Sequence, residues 1–260
     1  MPIPRLLFTY WEGSQFSHLH LLTLVTLHMN NPHIPIRVYT SETPSHDGDG
    51  AQWKTREHRT RITQTVSPFE SMTGICTVVP LSCVSDISSV VHRADYVRIV
   101  KLYEHGGMWF DFDILFLRPI PVSIFDTTSF AYHTYENTFP TGIVFASPNN
   151  EHVHRIYELL QSKDLCALDT YQGIGPDLWK TLIPFLDDGD ALLLETHSVY
   201  PYSYRNIDQF FFSMYDRVRE DTWGVHWYNG SHFAKEFINT FKKFSSPKSV
   251  CEKYMHMLKV

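Results

Sequence analysis

MWFDFDILFL, residues 108–117, is apolar except at Asp111 and Asp113. This composition predicts a buried β-strand, which Gly106 and Gly107 separate from a preceding helix. Side chains alternate between the two faces of a strand, so the two carboxylates would share one face, roughly 6.5–7 Å apart at the backbone. Two acids at that spacing can bind one hard divalent cation, directly or through water. The stretch therefore predicts a strand that carries a Mg²⁺ or Mn²⁺ site.

The helix predicted before this strand, over residues 86–105, also carries charges where apolar side chains are expected. At about 100° per residue, Arg98 falls near the middle of the apolar face that runs from Ile87 to Leu102, and Asp95 falls at its edge. A charge in an apolar face is costly unless it is paired or used. Two interpretations stay open: a structural ion pair at i, i+3 spacing, and a pair directed into a polar ligand pocket.

The rest of the chain predicts an α/β protein with a parallel sheet. Arg5–Trp11 and Ile34–Thr40 are strand-like runs on either side of a helix that follows Ser14. This order indicates a βαβ unit, whose two strands are parallel. Residues 41–50 have loop composition, and residues 51–80 show no clear pattern. Later strands are predicted near 129–134, 141–146, 191–196 and 223–228, with helices near 150–163, after Pro176 and, as the last element, from about Ser231.

Composition limits the classes of function. The 260 residues are 43% hydrophobic, enough for a full core, and carry 22 basic against 28 acidic side chains, a net charge of −6. Such a chain lacks the basic surface that nucleic acid or anionic lipid requires. No stretch approaches the roughly 18 apolar residues of a membrane span, and no signal peptide pattern is visible. We expect a cytoplasmic protein without nucleic-acid partners, in which a bound metal would provide the positive charge for any anionic ligand.

Residues 93–113 resemble the sugar-binding DxD region of retaining glycosyltransferases. This group comprises the family 32 enzymes, the α-1,4-galactosyltransferases and α-1,4-N-acetylglucosaminyltransferases, and the large clostridial glucosylating toxins. Three more segments fit in the same order: the first strand through Trp11, the turn at residues 173–176, and residues 223–231 around His226. The resemblance covers nearly the whole chain.

This resemblance implies a GT-A fold, an α/β architecture with a mostly parallel central sheet flanked by helices. Residues 1–260 would form one domain. Its Rossmann-like half, residues 1–120, would bind the nucleotide sugar and end in the DxD motif, and residues 121–260 would provide the acceptor half and a C-terminal lid. The implied reaction is metal-dependent transfer of a hexose with retention, from a UDP-sugar to a glycan or other hydroxyl acceptor, with Mn²⁺ or Mg²⁺ as cofactor.

The resemblance also implies roles for individual residues. Asp111 and Asp113 would bind the metal and the donor, Asp113 more directly, with His226 as a third contact to metal or diphosphate. Asp95 and Arg98 would hydrogen-bond the donor sugar, and these two residues together with Asp111 and Asp113 would form the catalytic set. Trp11 would stack on the uracil base of the donor. Trp109 and Gly175 would provide the remaining donor contacts.

Alternatives remain at this point. A protein of the same fold could bind a nucleotide or glycan without turnover. A DxD motif also occurs in phosphohydrolases, but there it usually ends the first strand and precedes Thr or Val, whereas here it lies in mid-chain before Ile114. Residues 200–233 hold 11 aromatic residues in 34 positions. Within them, Tyr200-Pro-Tyr202-Ser-Tyr204 is either a platform for stacking sugars or ordinary aromatic packing.

Overall fold

The computed structural model describes residues 1–42, 61–82, 84, 87, 89–135, 138–165, 170, 173–186, 191–242 and 245–259. Two predicted features lie outside these residues: most of the loop at 41–50 and the start of the helix at residue 86.

The predicted βαβ unit is confirmed. Strand β1 (Leu7–Tyr10) and strand β2 (Ile36–Ser41) are parallel neighbours joined through helix α1 (His18–Asn30). Helix α1 begins three residues later than the position after Ser14, because Ser17 forms the cap. The Ser17 hydroxyl accepts a hydrogen bond from the His20 N–H, and Nδ1 of His20 accepts one from the Ser17 N–H at 3.0 Å. This reciprocal pair is a capping box, which satisfies two backbone donors at the start of the helix.

Seven strands of the described chain form one mostly parallel sheet, as predicted. The order is β3-β2-β1-β4-β7-β6-β8. The first four strands are mutually parallel, β7 is antiparallel to both of its neighbours, and β8 is parallel to β6. The strands not yet located are β3 (Thr77–Leu81), β4 (Gly107–Phe110), β6 (Phe130–Tyr132), β7 (Ile143–Ala146) and β8 (Ala191–Leu193).

Helices cover both faces of this sheet. Leu7 of β1 packs in a core with Leu24 and Leu27 of α1, whereas Phe8 packs in a second core with residues of α3 (Val90–Glu104) and α5 (Glu151–Gln161). Alternate residues of β1 therefore enter different cores, as the two-residue repeat of a strand requires. A third core gathers the C-terminal helices α7 (Asp208–Phe212), α8 (His232–Thr240) and α9 (Val250–Leu258).

The prediction of one strand over residues 108–117 is wrong. The chain forms β4 in the large sheet and then β5 (Ile114–Phe116), which pairs with β9 (Gly224–His226) in a separate two-stranded sheet. Residues 111–113 form the turn between β4 and β5. The strand can break here because its polar backbone groups find other partners: the Phe112 carbonyl accepts from the Thr23 hydroxyl at 2.8 Å, and the Asp113 carbonyl accepts from the Trp227 N–H at 2.8 Å.

The predicted stop at Gly106 and Gly107 is confirmed. Both residues have positive φ, 66° and 105°. Each also lies against a neighbouring backbone, since a Cβ on Gly107 would come within 2.5 Å of the Leu6 carbonyl oxygen and one on Gly106 within 2.6 Å of the Ala146 carbonyl oxygen. Only glycine meets both requirements. The pair reverses the chain so tightly that β4 begins directly after α3.

Four helices were not anticipated in sequence. The helix predicted from about Ser231 exists as α8, but α9 follows it, so the prediction that it is the last element is wrong. Helices α2 (Pro68–Ser71), α4 (Val122–Thr127) and α7 are four to six residues long, too short for a helical repeat to show in sequence. Among the helices of the described ranges, none has both the length and the apolar character needed to span a bilayer.

Candidate functional site

A cavity of about 530 Å³ opens where the turn after β4 meets β9 and the middle of α3. Five of the eight predicted site residues line it: Asp95, Arg98, Asp111, Asp113 and His226. They come from three separate parts of the chain, so the fold assembles them. The volume lies within the range of small-molecule pockets.

Asp111 is held by one of its two carboxylate oxygens. Its Oδ1 accepts hydrogen bonds from Nε1 of Trp109 at 2.7 Å and from Nη2 of Arg98 at 3.1 Å. Its backbone N–H donates to the Gly142 carbonyl at 2.8 Å. The other oxygen, Oδ2, faces His226, with 3.9 Å between Oδ2 and Nε2. The carboxylate is thus fixed in orientation while one oxygen stays directed at the imidazole.

Asp113 is arranged in the same manner. Its Oδ2 accepts a hydrogen bond from the Asn229 N–H at 2.7 Å. Its Oδ1 is buried, lies 3.2 Å from Nε2 of His226, and accepts no hydrogen bond from a described residue. A buried carboxylate oxygen without a hydrogen bond is rare in proteins, and an ion bound there would satisfy it.

His226 reaches the two carboxylates because of strand pairing. In the small sheet it stands opposite Ile114, the residue that follows Asp113, and its N–H donates to the Val199 carbonyl at 2.8 Å. Gly142 leaves room for the ring, since a Cβ there would lie 2.9 Å from Cδ2 of His226 and 2.9 Å from the Tyr200 hydroxyl. The DxD turn and a strand more than 100 residues later are thereby brought into contact.

The geometry of these three side chains fits a divalent cation. One ligand atom from each of Asp111, Asp113 and His226 lies within 4.8 Å of the other two. Carboxylate oxygens suit Mg²⁺ and Mn²⁺, and two carboxylates with one imidazole leave coordination positions for water or phosphate oxygens. The unsatisfied Oδ1 of Asp113 lies within this group.

The charges in the cavity shift one another's pKa. Burial raises the pKa of Asp113, and the nearby His226 only partly offsets this. Burial acts on Asp111 in the same direction, but Arg98 and His226 outweigh it and hold the pKa of Asp111 below its ordinary value. For His226, burial is outweighed by the two carboxylates, which raise its pKa. The carboxylates therefore stabilise positive charge between them, as a metal site requires.

Asp95 and Arg98 form the i, i+3 ion pair that the helix spacing allowed, and both side chains are buried. The same guanidinium also binds Asp111, so the pair is not confined to its helix. Its Cζ lies 4.7 Å from the centre of the Trp109 ring. The pair is a structural ion pair, and both of its side chains line the cavity.

The remaining three predicted residues do not line the cavity. Trp109 is buried beneath it and holds Asp111 and Arg98. Gly175 lies against Asp95, where a Cβ would come within 2.8 Å of Oδ2. Trp11 is half-buried just after β1 and makes edge-on ring contacts with Phe16 and Phe112, with ring centres 5.0 and 5.2 Å apart.

A buried ion pair at the end of β1 was not predicted. Glu12 accepts a hydrogen bond from Nη1 of Arg93 at 2.6 Å, and Tyr10 donates its hydroxyl to the same carboxylate. The pair ties the segment that carries Trp11 to helix α3. No local signal could have found it, because the two residues are 81 positions apart. The Asn229 contact was also missed, since a backbone N–H leaves no mark in sequence.

Comparisons with known proteins find one matching family region and several similar solved structures. Residues 27–131 match the family described as "glycosyltransferase sugar-binding region containing DXD motif". The solved structure of PaToxG glycosyltransferase is similar with a TM-score of 0.50 at 15% identity, over 72% of this chain and 71% of that one. That of the galactosyltransferase LgtC, in complex with donor and acceptor sugar analogs, is similar with a TM-score of 0.43 at 11% identity, over 93% of this chain and 97% of that one. No curated protein sequence matches the chain.

The family region contains Asp95, Arg98 and the DxD motif, and it ends before His226. The likeness to PaToxG concerns the fold. Residues 27–131 thus carry a glycosyltransferase sugar-binding region with its DxD motif, and the fold of the chain is similar to that of PaToxG glycosyltransferase.

Proposed function

We propose that this protein is a metal-dependent, retaining hexosyltransferase that uses a nucleotide sugar, preferably a UDP-sugar, and transfers the hexose to a hydroxyl acceptor. One observation carries the proposal: Asp111, Asp113 and His226 converge on a single point in the wall of a cavity that Asp95 and Arg98 also line. A diphosphate bound at that point would have a sugar extending toward Asp95. The assignment of residues 1–120 to the donor and 121–260 to the acceptor is part of this proposal.

Asp111, Asp113 and His226 would hold Mn²⁺ or Mg²⁺. When bound, such an ion neutralises the charge that develops on the diphosphate as the glycosidic bond breaks. The chain's own part is to fix the ligands in advance. Trp109, Arg98 and the Asn229 N–H each hold one carboxylate oxygen, so little reorganisation is needed at the moment of reaction.

Arg98 and Asp95 would orient the donor sugar. Both side chains are buried beside the cavity, and Arg98 is fixed by Asp95, by Asp111 and by the face of Trp109. A rigid, prepositioned pair can bind sugar hydroxyls without losing much side-chain freedom. Trp11 would contribute to the donor base from the end of β1.

Retention would follow a same-face displacement. Of the described carboxylates in the cavity wall, Asp111 and Asp113 face His226 and Asp95 is paired with Arg98. None is positioned as a separate nucleophile, which favours front-side attack by the acceptor hydroxyl over a covalent intermediate.

The test is release of UDP from UDP-hexoses by purified protein with and without Mn²⁺. We expect turnover that EDTA abolishes and excess Mn²⁺ restores. Asp113→Asn should lower kcat at least about 100-fold, as expected on losing a group that stabilises transition-state charge. Asp126→Asn, which removes an exposed acid paired with Arg5, is the matched control and should retain wild-type rates.

The same assay separates the alternatives. Full activity of Asp113→Asn, or activity in EDTA, would contradict the metal assignment. Nucleotide binding without release of UDP from any donor would indicate a binding protein without turnover. Release of inorganic phosphate from phosphate monoesters would indicate a phosphohydrolase.

A further inference from the structure

We infer that the outer part of the cavity is an acceptor subsite for an uncharged sugar ring, which packs into a corner formed by Tyr204 and Tyr228. This inference rests on the proposed function and names the class of its acceptor. Both tyrosines line the cavity.

The two rings form a right-angled corner. Their centres are 5.8 Å apart and their planes meet at 89°. The Tyr204 side chain is 45% exposed. Tyr135, which is 41% exposed, lines the same cavity. Large exposed rings at a cavity rim are suited to the apolar C–H faces of a pyranose, which pack against aromatic faces.

The structure separates the three tyrosines of residues 200–204, whose roles the sequence left open. Tyr202 is fully buried and Tyr200 nearly so, whereas Tyr204 is exposed at the rim. All three tyrosines line the cavity, and Tyr204 is the member of the run with an exposed ring.

The Tyr228 side of the corner is held in place by its surroundings. The backbone φ of Tyr228 is 52°, a left-handed conformation that residues other than glycine rarely adopt. Its hydroxyl donates to the Tyr202 carbonyl at 3.1 Å, and its ring touches that of His226, with 4.4 Å between the centres. Strained backbone persists only where its surroundings enforce it, and such residues concentrate at functional sites.

Tyr135 is held at the rim by backbone bonds to Thr138. The Tyr135 N–H donates to the Thr138 carbonyl at 3.2 Å, and the Thr138 N–H donates back at 2.8 Å. These bonds fix the backbone of Tyr135 at the cavity.

The corner also lies next to the proposed reaction centre. Because Tyr228 touches His226, a ring seated against Tyr228 would place a hydroxyl close to the metal-binding group and to the donor sugar. Packing without such contact would give binding but no transfer, so this adjacency favours an acceptor site over a remote glycan site.

The charges of the cavity favour a neutral ring. Arg98 is the one Lys or Arg among the described residues that line it, and its guanidinium is bound by Asp95 and Asp111. With the metal held by Asp111 and Asp113 and its charge balanced by the donor diphosphate, a phosphorylated or carboxylated acceptor would find no further cation among the described lining residues. An uncharged sugar has no such cost.

The experiment measures acceptor kinetics and binding with lactose, maltose, cellobiose and chitobiose, their phosphorylated counterparts, and an unglycosylated Ser/Thr/Tyr peptide. UDP release reports turnover, and saturation-transfer NMR without donor reports binding. We expect at least one neutral disaccharide to stimulate UDP release and its phosphorylated form to be at least about tenfold weaker. Tyr204→Ala should raise the KM for that disaccharide about tenfold, as loss of an aromatic contact predicts, and raise the KM for donor much less. Tyr204→Phe should restore the acceptor KM.

Tyr215→Ala is the matched control, because Tyr215 is 62% exposed and does not line the cavity. Tyr204→Ala behaving like Tyr215→Ala, equal use of phosphorylated sugars, or stimulation by the peptide but not by disaccharides would overturn the inference. So would donor hydrolysis in a protein that binds no disaccharide. Disaccharide binding that depends on Tyr204 in a protein that turns over no donor would refute the proposed function and support the subsite.

Discussion

Replacing Arg98 with methionine is expected to destabilise the protein more than any substitution of an exposed charge. Arg98 is buried, pairs with the buried Asp95, and also binds Oδ1 of Asp111 at 3.1 Å. Methionine keeps much of the side-chain volume but removes the charge. Asp95 then stays buried without its cation, a situation that costs about 3–5 kcal/mol.

This free energy converts into a measurable shift in Tm. An unfolding entropy of about 2.1 cal/mol/K per residue gives about 0.55 kcal/mol/K for 260 residues. The expected fall in Tm is therefore about 5–9 °C, measured by calorimetry or thermal circular dichroism at pH 7. Methionine also leaves Asp111 without one of its two hydrogen-bond donors, so Mn²⁺-dependent UDP release should fall in the same variant.

Two companion variants test the reasoning. Lys101→Met removes the other i, i+3 pair of α3, with Glu104, whose side chain is half exposed, and should cost less than about 1 kcal/mol. Asp95→Asn added to Arg98→Met removes the unpaired buried charge and should recover about 2 kcal/mol or more. If Arg98→Met lowers Tm no more than Lys101→Met, the Asp95–Arg98 pair does not stabilise the fold as argued.

Three further predictions concern the cavity and the core. Mn²⁺ at 100 times its Kd should stabilise the wild-type protein by about 2.7 kcal/mol, which raises Tm by about 5 °C. His226→Gln should show a smaller rise in Tm, and equal rises would contradict the assignment of His226 as a metal ligand. Gly142→Ala places a methyl group 2.9 Å from the His226 ring. The displaced imidazole should lower kcat at least about tenfold, while Tm changes by a few degrees. A wild-type kcat in this variant would show that the position of the imidazole is unimportant. Burial lowers the pKa of His20 from 6.5 to about 3. As the pH decreases, His20 is protonated in the unfolded chain before it is protonated in the folded one. The free energy of unfolding should therefore fall below about pH 7, by about 2 kcal/mol between pH 7.5 and 5.0. His20→Gln keeps a residue that suits the capping box, and its free energy of unfolding should lack this share of the pH dependence in denaturant titrations. An unchanged pH profile in this variant would contradict the role given to His20.

The residues of the site were predictable to different degrees. The two aspartates, Asp95 and Arg98 could be found because each is a charge in an apolar stretch, where burial without a partner is costly. His226 was found through resemblance, since one histidine among 15 carries no distinguishing local signal. The Glu12–Arg93 pair escaped notice because its partners are distant in sequence and each is unremarkable alone.

The fold shows the same division. Strands β1 and β2, helix α1 and the glycine stop after α3 follow from local patterns, since apolar periodicity and left-handed glycines act over a few residues. The break between β4 and β5 does not. It depends on Thr23 and Trp227 taking over the backbone hydrogen bonds at residues 112 and 113.

The α/β class, the parallel βαβ start and the DxD motif follow from local side-chain patterns within single elements. How the motif is presented depends on contacts between elements. The tertiary structure places Asp111 and Asp113 on a turn, gives each carboxylate one fixed oxygen, and brings His226 to both through the pairing of β5 with β9. It also separated Tyr204 at the cavity rim from the buried Tyr200 and Tyr202, because exposure is a property of packing between elements, which no local pattern records.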